Sequence, residues 1–125
     1  MKEFVLFSLN FDQYYCKKFS SDAMSILEMF IAEDYYLYGH KFLIDWANDP
    51  KQDSTNATIT YLVKEDGVVS IGDLYEKEPF FFELPIEKFI KLLNNWKRVT
   101  KQKPKRIIIS RENDTVIVEG YNPKN

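Results

Sequence analysis

The sequence predicts an α+β fold in which a mostly antiparallel or mixed sheet of about five to six strands packs against about two to three helices. Two pairs of strand-like segments flank turn sequences, and two amphipathic helical stretches stand apart from them. Strands and helices do not alternate regularly, which argues against a parallel sheet. Because 125 residues are the length of one ordinary domain, we expect residues 1–125 to form a single unit.

The N-terminal part begins with a strand and a helix. In residues 3–9 apolar side chains fall on both alternating faces, which predicts a strand near the middle of the sheet. Residues 20–22 (Ser-Ser-Asp) are favourable helix caps, because their side chains accept hydrogen bonds from the first free N–H groups. Apolar residues then recur at helical spacing, so we expect a helix from about Asp22 to Glu33.

Residues 35–47 fit two interpretations. Every second residue from Tyr36 to Trp46 is aromatic or apolar, which suits a strand, whereas Tyr38, Phe42 and Trp46 recur every four residues and suit a helix. Gly39 disfavours a helix by about 1 kcal/mol relative to alanine. We favour a short helix that ends near Ala47, and we expect the polar stretch 48–56 to be a loop.

Two turn sequences in the remaining chain predict hairpins. Residues 65–67 (Glu-Asp-Gly) and 112–114 (Glu-Asn-Asp) each separate two runs that are rich in β-branched residues. The predicted strand pairs are residues 57–64 with 68–74 and residues 105–111 with 115–121.

A further strand and the second helix lie between these hairpins. Residues 80–83 follow a proline and are apolar, which predicts a strand. Pro85 suits the first position of a helix, because its missing N–H needs no partner there. A buried stripe of apolar residues then predicts a helix that ends near Lys101, before Pro104.

The composition supplies few groups for catalysis or metal binding. The chain has one cysteine, Cys16, and one histidine, His40, so it cannot build a metal site from several thiolates or imidazoles. Its four glycines are dispersed, which excludes a glycine-rich phosphate-binding loop. A small enzyme that pairs His40 with Asp45 or Glu33 is the least favoured hypothesis. We therefore expect no enzymatic activity, no catalytic residue and no bound metal or cofactor.

The sequence also bears on location. No run of about 18 apolar residues predicts a membrane-spanning helix. The N-terminal apolar run is interrupted by Asn10 and Asp12 and lacks a small-residue cleavage site, so it does not resemble a signal peptide. A single cysteine fits a reducing compartment. We expect a cytoplasmic protein that does not contact a membrane.

The net charge of −2 conceals a strong asymmetry. Residues 1–83 hold 7 Lys/Arg and 15 Asp/Glu, whereas residues 84–125 hold 10 Lys/Arg and 4 Asp/Glu. Such an uneven distribution can steer a charged partner. We expect an acidic surface and a basic surface that are opposed to each other.

The acidic part of the chain coincides with aromatic residues between Glu33 and Asp53. Tyrosine and tryptophan are enriched at the energetic centres of protein interfaces, and surrounding carboxylates attract a basic partner. For Tyr36 and Tyr38 a place in the hydrophobic core is an equally good interpretation. The predicted partner-binding residues are Glu33, Asp34, Tyr36, Tyr38, Asp45, Asp49, Asp53, Asp73, Glu76 and Glu78.

The stretch Lys97–Arg106 supports an alternative function. It carries six positive charges and no acid, which suits a phosphate backbone and hence a nucleic-acid-binding module. Cations at a helix C-terminus also stabilise the helix dipole, which is a purely structural explanation. No aromatic residue lies within the stretch to stack on bases, so nucleic acid is the less favoured partner.

The C-terminal half resembles a known family. Residues 82–96 read FELPIEKFIKLLNNW, and residues 103–109 (KPKRIII) lead into a short hairpin. A strand, Leu-Pro, an amphipathic helix that ends in tryptophan, and Lys-Pro before a hairpin are similar to the C-terminal half of small bacterial immunity proteins. These proteins accompany contact-dependent growth inhibition toxins and other polymorphic toxins. The resemblance is carried by roughly residues 80–120.

This resemblance implies a cytoplasmic protein without catalysis that binds the toxic C-terminal domain of its cognate toxin. Such toxin domains are often nucleases with basic substrate clefts, and the bound protein blocks the active site or the substrate path. The family has no shared catalytic motif and its interfaces diverge, so the resemblance assigns no residue by position. Our leading hypothesis is an immunity protein whose acidic aromatic region contacts the toxin, with the basic stretch 97–106 facing away.

Overall fold

The computed structural model describes residues 2–75 and 81–124, and within these residues it confirms the α+β class. The strands are β1 (Glu3–Asn10), β2 (Gln13–Phe19), β3 (Ser54–Asn56), β4 (Thr60–Glu65), β5 (Val68–Asp73), β6 (Phe81–Pro85), β7 (Arg106–Glu112) and β8 (Thr115–Tyr121). The helices are α1 (Asp22–Met29), a π-helical turn (Phe30–Asp34), α2 (Tyr35–Tyr38), α3 (His40–Asn48) and α4 (Ile86–Lys101).

The strands form two antiparallel sheets of four strands each, rather than the single sheet of five to six strands that we expected. The order is β2-β1-β7-β8 in the first sheet and β3-β4-β5-β6 in the second. Strand β1 lies between β2 and β7, which confirms its predicted place inside a sheet. Its pairing with β7 joins segments about one hundred residues apart in the chain, which no local pattern reports.

Strand β2 was not predicted. It is joined to β1 by the two-residue turn Phe11-Asp12, which follows the pair Asn10–Gln13. Phe11 adopts a φ of 58°, a left-handed conformation that hairpin turns normally assign to glycine or asparagine. Because the turn lacks those residues, the sequence carries no recognisable hairpin signal at this point.

The first helix begins where the sequence predicts. The Ser21 hydroxyl accepts a hydrogen bond from the backbone N–H of Met24 at 3.3 Å and caps α1. The helix continues through the π-helical turn, in which the Tyr35 N–H donates to the Phe30 carbonyl. Residues 35–47 are helical rather than extended, as favoured, but Gly39 has a φ of 87° and divides them into α2 and α3.

Both predicted hairpins are confirmed. Asp66 and Gly67 have φ angles of 53° and 77°, which the tight turn between β4 and β5 requires. Strand β6 corresponds to the predicted strand 80–83, although residue 80 lies outside the described residues. Helix α4 ends at Lys101 as expected and begins at Ile86, so Pro85 is its N-cap residue rather than its first helical residue. The stretch 48–56 is not entirely a loop, because it contains β3.

The two sheets share one hydrophobic core with the helices. Helices α1 and α4 each contact strands of both sheets. Trp96 on α4 is fully buried and packs edge-on against Phe7, with ring centroids 5.1 Å apart. The sheets are also joined by Arg111, whose guanidinium binds Glu3 of β1 at 2.7 Å and the Glu83 carbonyl of β6 at 2.8 Å.

Candidate protein-binding groove

A groove of about 640 Å³ lies between β2 and the helical segment that runs from α1 to α2. Its size falls within the range of small-molecule and side-chain binding pockets. Both walls come from the acidic part of the chain. Its lining residues are Asp12, Gln13, Tyr14, Tyr15, Cys16, Glu28, Ala32, Glu33, Tyr36 and Leu37, and we call this the β2 groove.

Two tyrosines of the β2 groove are fixed by hydrogen bonds beneath it. The Tyr14 hydroxyl donates to the Pro104 carbonyl at 2.6 Å, and the ring packs edge-on against Trp96. The Trp96 indole N–H donates to the Tyr36 hydroxyl at 3.2 Å. Trp96 therefore contacts one side chain from each wall of the groove.

The charged residues that line the β2 groove are all acidic. Its lining holds three carboxylates and no lysine, arginine or histidine. Burial raises the pKa of Glu28 above its usual value, and the neighbouring Glu33 carboxylate raises it further. Burial likewise raises the pKa of the Cys16 thiol to about 11, which lowers the fraction of reactive thiolate at neutral pH.

Large apolar and aromatic side chains are exposed around the β2 groove. Phe11, at the tip of the β1–β2 turn, is 93% exposed. Leu37 and Tyr36 are 65% and 58% exposed. A bulky residue such as Phe11 is unusual in this position, because its left-handed backbone conformation and the exposure of its apolar ring to water both disfavour the folded state. Together these residues present an apolar rim beside an acidic concavity.

The structure places only two of the predicted partner-binding residues in this groove. Glu33 lines it as an exposed carboxylate, and Tyr36 forms part of its wall. Tyr38, on the same helix, stacks on Phe42 with centroids 5.6 Å apart and is half-buried against the core. Burial raises the pKa of Tyr38 to about 12.

The prediction that Asp34 contacts a partner is wrong. Its side chain is fully buried, and its carboxylate accepts four hydrogen bonds from the segment that leads into β4. The donors are the N–H groups of Thr58, Ile59 and Thr60 at 3.4, 3.2 and 2.7 Å and the Thr60 hydroxyl at 2.7 Å. Asp34 therefore ties the π-helical turn to the second sheet.

Asp49 and Asp53 lie in a different place, a depression of about 340 Å³ that shares no lining residue with the β2 groove. The carboxylates of Glu65 and Asp66 line it as well. It also contains a cation, Lys64, whose ammonium donates to the Trp46 and Asp49 carbonyls at the end of α3. We call this the α3 depression.

Asp45 and Asp73, the other predicted residues that the structure describes, line neither the β2 groove nor the α3 depression. Asp45 is exposed on α3 and pairs with Lys41 at 2.8 Å. Asp73 ends β5, where its carboxylate accepts the Tyr75 N–H at 2.9 Å. Glu76 and Glu78 lie outside the described residues.

His40 is not paired with a carboxylate in the structure. Its Nδ1 lies 2.8 Å from the Tyr35 hydroxyl, and its Nε2 lies 3.0 Å from Asn94 Oδ1. The amide oxygen can only accept, so Nε2 carries the proton and Nδ1 accepts from Tyr35. The suggested pairs of His40 with Asp45 or Glu33 do not form, and the imidazole links the start of α3 to α4.

The acidic and basic parts of the chain, which we expected to be opposed surfaces, touch at one place. Lys103 lies in the loop after α4, and its ammonium is 3.7 Å from the Asp12 carboxylate at the end of the β2 groove. Arg106 is engaged as well, because it donates to the Ser8 hydroxyl at 2.7 Å. The two charged regions therefore meet at the β1–β2 turn.

Sequence reasoning missed the β2 wall of the groove and Glu28. The signal for β2 is an alternation in which Tyr14 and Cys16 face inwards while Gln13 and Tyr15 are exposed, and it is visible once a turn at Phe11-Asp12 is assumed. Glu28 lies on α1 and offers no signal, because an acidic residue on a helix is ordinarily solvated.

Comparison of the chain with models of known families, with curated proteins and with solved structures gives no match. Within residues 2–75 and 81–124, no helix is both long and apolar enough to cross a membrane. The same residues contain no group of three or more His, Cys, Asp or Glu side chains arranged to hold a metal ion.

Proposed function

We propose that this chain is an immunity protein that binds a cognate bacterial toxin domain and blocks its active site or substrate path. The proposed toxin domain is a nuclease with a basic substrate cleft. The observation that carries the proposal is the β2 groove, in which Glu28 and Glu33 have no described cation and lie beside the exposed side chains of Tyr36 and Leu37. Aromatic anchors surrounded by charge are the usual means of tight, rapid recognition between proteins.

The mechanism is occlusion. Basic side chains that would hold the phosphate backbone of the toxin's substrate dock on the acidic β2 groove instead, which covers the substrate path, and the apolar side chains around the groove exclude water. A protein that acts by occlusion needs no catalytic group of its own. His40 accordingly serves a structural contact, because its imidazole is hydrogen-bonded to Tyr35 and Asn94. On this proposal the protein acts in the cytoplasm, where an incoming toxin would meet its substrate.

Growth rescue tests the function directly. The toxin domain that the proposal expects to be encoded beside the gene for this chain is expressed alone and together with it. We expect the domain alone to arrest growth and co-expression to restore it, with purified proteins forming a stoichiometric complex. A toxic domain that remains toxic in the presence of the folded chain would overturn the proposal.

Two matched double variants locate the contact surface. Glu28→Lys with Glu33→Lys reverses the charge of the β2 groove, and Asp49→Lys with Asp53→Lys makes the same change in the α3 depression. We expect the first pair to slow association with the toxin about tenfold or more at low salt and the second to have a small effect. The reverse result would move the interface to the α3 depression.

One observation favours nucleic acid binding as a second candidate function. Cross-strand pairing places Tyr15, Ser8, Arg106 and Tyr121 in one row on the outer face of the first sheet. The two tyrosines are 52% and 43% exposed, so they supply the stacking surfaces that the Lys97–Arg106 stretch itself lacks. Fluorescence anisotropy with labelled single-stranded RNA and DNA tests this candidate. Salt-sensitive binding that Arg106→Ala abolishes would support it, and absence of binding removes it.

A further inference from the structure

The β2 groove has a shape and a charge that narrow the kind of group it can accept. Its walls offer the tyrosines Tyr14 and Tyr36, and its carboxylates Glu28 and Glu33 come from neighbouring turns of one helical segment. Among the described residues, neither glutamate forms a salt bridge. Two adjacent carboxylates without a cation leave charge that an incoming cation would neutralise.

The aromatic walls discriminate between the two possible cations. A guanidinium is planar and weakly hydrated, so it stacks on a tyrosine ring and binds carboxylates through two parallel N–H groups. An ammonium is a compact, strongly hydrated charge that uses neither feature as well. A groove that combines the exposed ring of Tyr36 with paired carboxylates therefore favours arginine over lysine.

The rim indicates that the occupant belongs to a macromolecule. Leu37 lines the groove and is 65% exposed, and Phe11, which is 93% exposed, directly precedes the lining residue Asp12 in the chain. Both side chains are open to contact with a chain that carries the cation. The open position of β2 at the edge of the first sheet leaves space for an extended segment along this side. A small free cation would leave these apolar side chains in water.

We infer that the β2 groove receives an arginine side chain carried on an exposed basic segment of the partner protein. The inference rests on the proposed function only in that this partner is the toxin domain. Glu28 and Glu33 bind the guanidinium, and the exposed ring of Tyr36 flanks it beside Leu37. Neutralisation of Glu28 on binding removes the unfavourable burial of its charge in the free protein.

Cys16 provides a reporter that needs no mutation. It lines the groove and is the only cysteine in the sequence, so an occupant should shield it from alkylation. The reaction with N-ethylmaleimide is followed by mass spectrometry at about pH 9, because the raised pKa of the thiol makes it slow at neutral pH. The probe is an acetylated, amidated peptide of four Gly-Arg repeats at about 20 mM salt, where screening is weak.

Two peptide controls separate arginine recognition from general attraction. In one, citrulline replaces arginine, which preserves the shape of the side chain and removes its charge. In the other, lysine replaces arginine. We expect the arginine peptide to slow alkylation about fivefold at saturation, the lysine peptide to bind more weakly, and the citrulline peptide to have no effect. Equal protection by citrulline, or no protection by arginine, would overturn the inference.

Two variants place the interaction in this groove. Glu28→Gln with Glu33→Gln removes the paired charge and keeps the side-chain size, and we expect about a tenfold loss of affinity for the arginine peptide. Asp53→Asn with Glu65→Gln makes the same change of net charge in the α3 depression and should change affinity less than about twofold. Equal losses in both variants would show non-specific attraction and contradict the inference.

The same variants distinguish failure of this inference from failure of the proposed function. If the chain neutralises its toxin while the glutamine pair leaves peptide and toxin affinity unchanged, the arginine site is wrong and the function stands. If the peptide binds as expected and no toxin is neutralised, the site stands and the immunity function is wrong.

Discussion

Glu33 and Asp34 are neighbours in the sequence, yet the structure uses their carboxylates in opposite ways. Asp34 points into the protein and accepts four hydrogen bonds, whereas Glu33 points into the β2 groove beside Glu28 and is paired with no described cation. The first arrangement stabilises the fold, because buried charge is supplied with donors. The second does not stabilise the free protein, and on the proposed function a partner supplies the missing charge.

Other residues show the same contrast between groups that stabilise the fold and groups that disfavour the free protein. Glu3 resembles Asp34, since Arg111 and the Ser21 hydroxyl bind its carboxylate at 2.7 Å each. Phe11 and Glu28 both disfavour the folded free protein. Phe11 does so through its left-handed backbone and its exposed ring, and Glu28 through the partial burial of its charge. Substitutions in the first group should therefore destabilise the protein, and substitutions in the second should stabilise it while weakening binding.

The largest expected effect is that of Asp34→Ala. The substitution leaves three backbone N–H groups and a hydroxyl without their acceptor in the interior, so we expect a loss of about 3 kcal/mol or more in the free energy of unfolding. Urea denaturation followed by circular dichroism measures it. Glu33→Ala is the matched control and should alter stability little. Equal effects of the two substitutions would remove the distinction between them.

Arg111→Leu should have the next largest effect. The variant retains apolar packing over Phe82, 4.3 Å from the guanidinium, but loses the bonds to Glu3 and to the Glu83 carbonyl. We expect a loss of about 2 kcal/mol. Lys41→Leu is the control, because it breaks an ion pair of similar length that is exposed and should not measurably change stability.

The same variant has a defined pH dependence. Burial raises the pKa of Glu3, but hydrogen bonds from Arg111 and Ser21 outweigh it and hold the pKa below the usual 4.5. A depressed folded-state pKa stabilises the protein above about pH 4.5, and this contribution disappears as the pH falls through the folded value. In Arg111→Leu this loss on acidification should be reduced, as urea titrations from pH 7 to about pH 3 will show.

Phe11→Asn should stabilise the protein. Asparagine tolerates the left-handed conformation, and little packing is lost because Phe11 is almost fully exposed, so we expect a gain of about 0.5–1 kcal/mol. Phe11→Ala keeps the unfavourable Cβ contact and should give no such gain. Both variants should bind the toxin more weakly. Unchanged toxin affinity would mean that the exposed ring is not part of the interface.

Glu28→Gln should give the smallest of the four effects on stability. The raised pKa of Glu28 means that ionisation disfavours the folded state as the pH rises above the unfolded value. The variant should therefore melt at a slightly higher temperature than the parent protein at pH 7 and at the same temperature well below pH 4.5. A lower melting temperature at pH 7 would show that Glu28 is compensated in the free protein.

Local patterns predicted the elements that have strong local signals. Helix α1, helix α4 and the hairpin at Asp66-Gly67 all follow from caps, apolar stripes and turn residues. Strand β3 was not predicted because it is only three residues long and lies in a polar stretch. Strand β2 was not predicted because its turn contains Phe11 where glycine would be expected.

The residues of the β2 groove were predicted only in part, because local patterns identify residues on one wall and do not report which distant strand forms the other. Glu33 and Tyr36 were recognised because acidic and aromatic residues stand together in that segment. Asp34 was misassigned, although it shares the helical stripe of the buried Phe30 and Ile31, a spacing that places it inwards. The opposite wall of the groove depended on β2, so its residues had no place in a surface predicted without that strand.

The sequence by itself determined the α+β class, the positions of the main helices and hairpins, and the acidic character of the N-terminal part. These properties depend on interactions between residues a few positions apart. Only the tertiary structure decided that there are two sheets, that Asp34 is buried, and that β2 meets Glu28 across a groove. Those outcomes depend on which distant segments supply hydrogen-bond donors and packing surfaces, as β7 does for β1 and the segment before β4 does for Asp34.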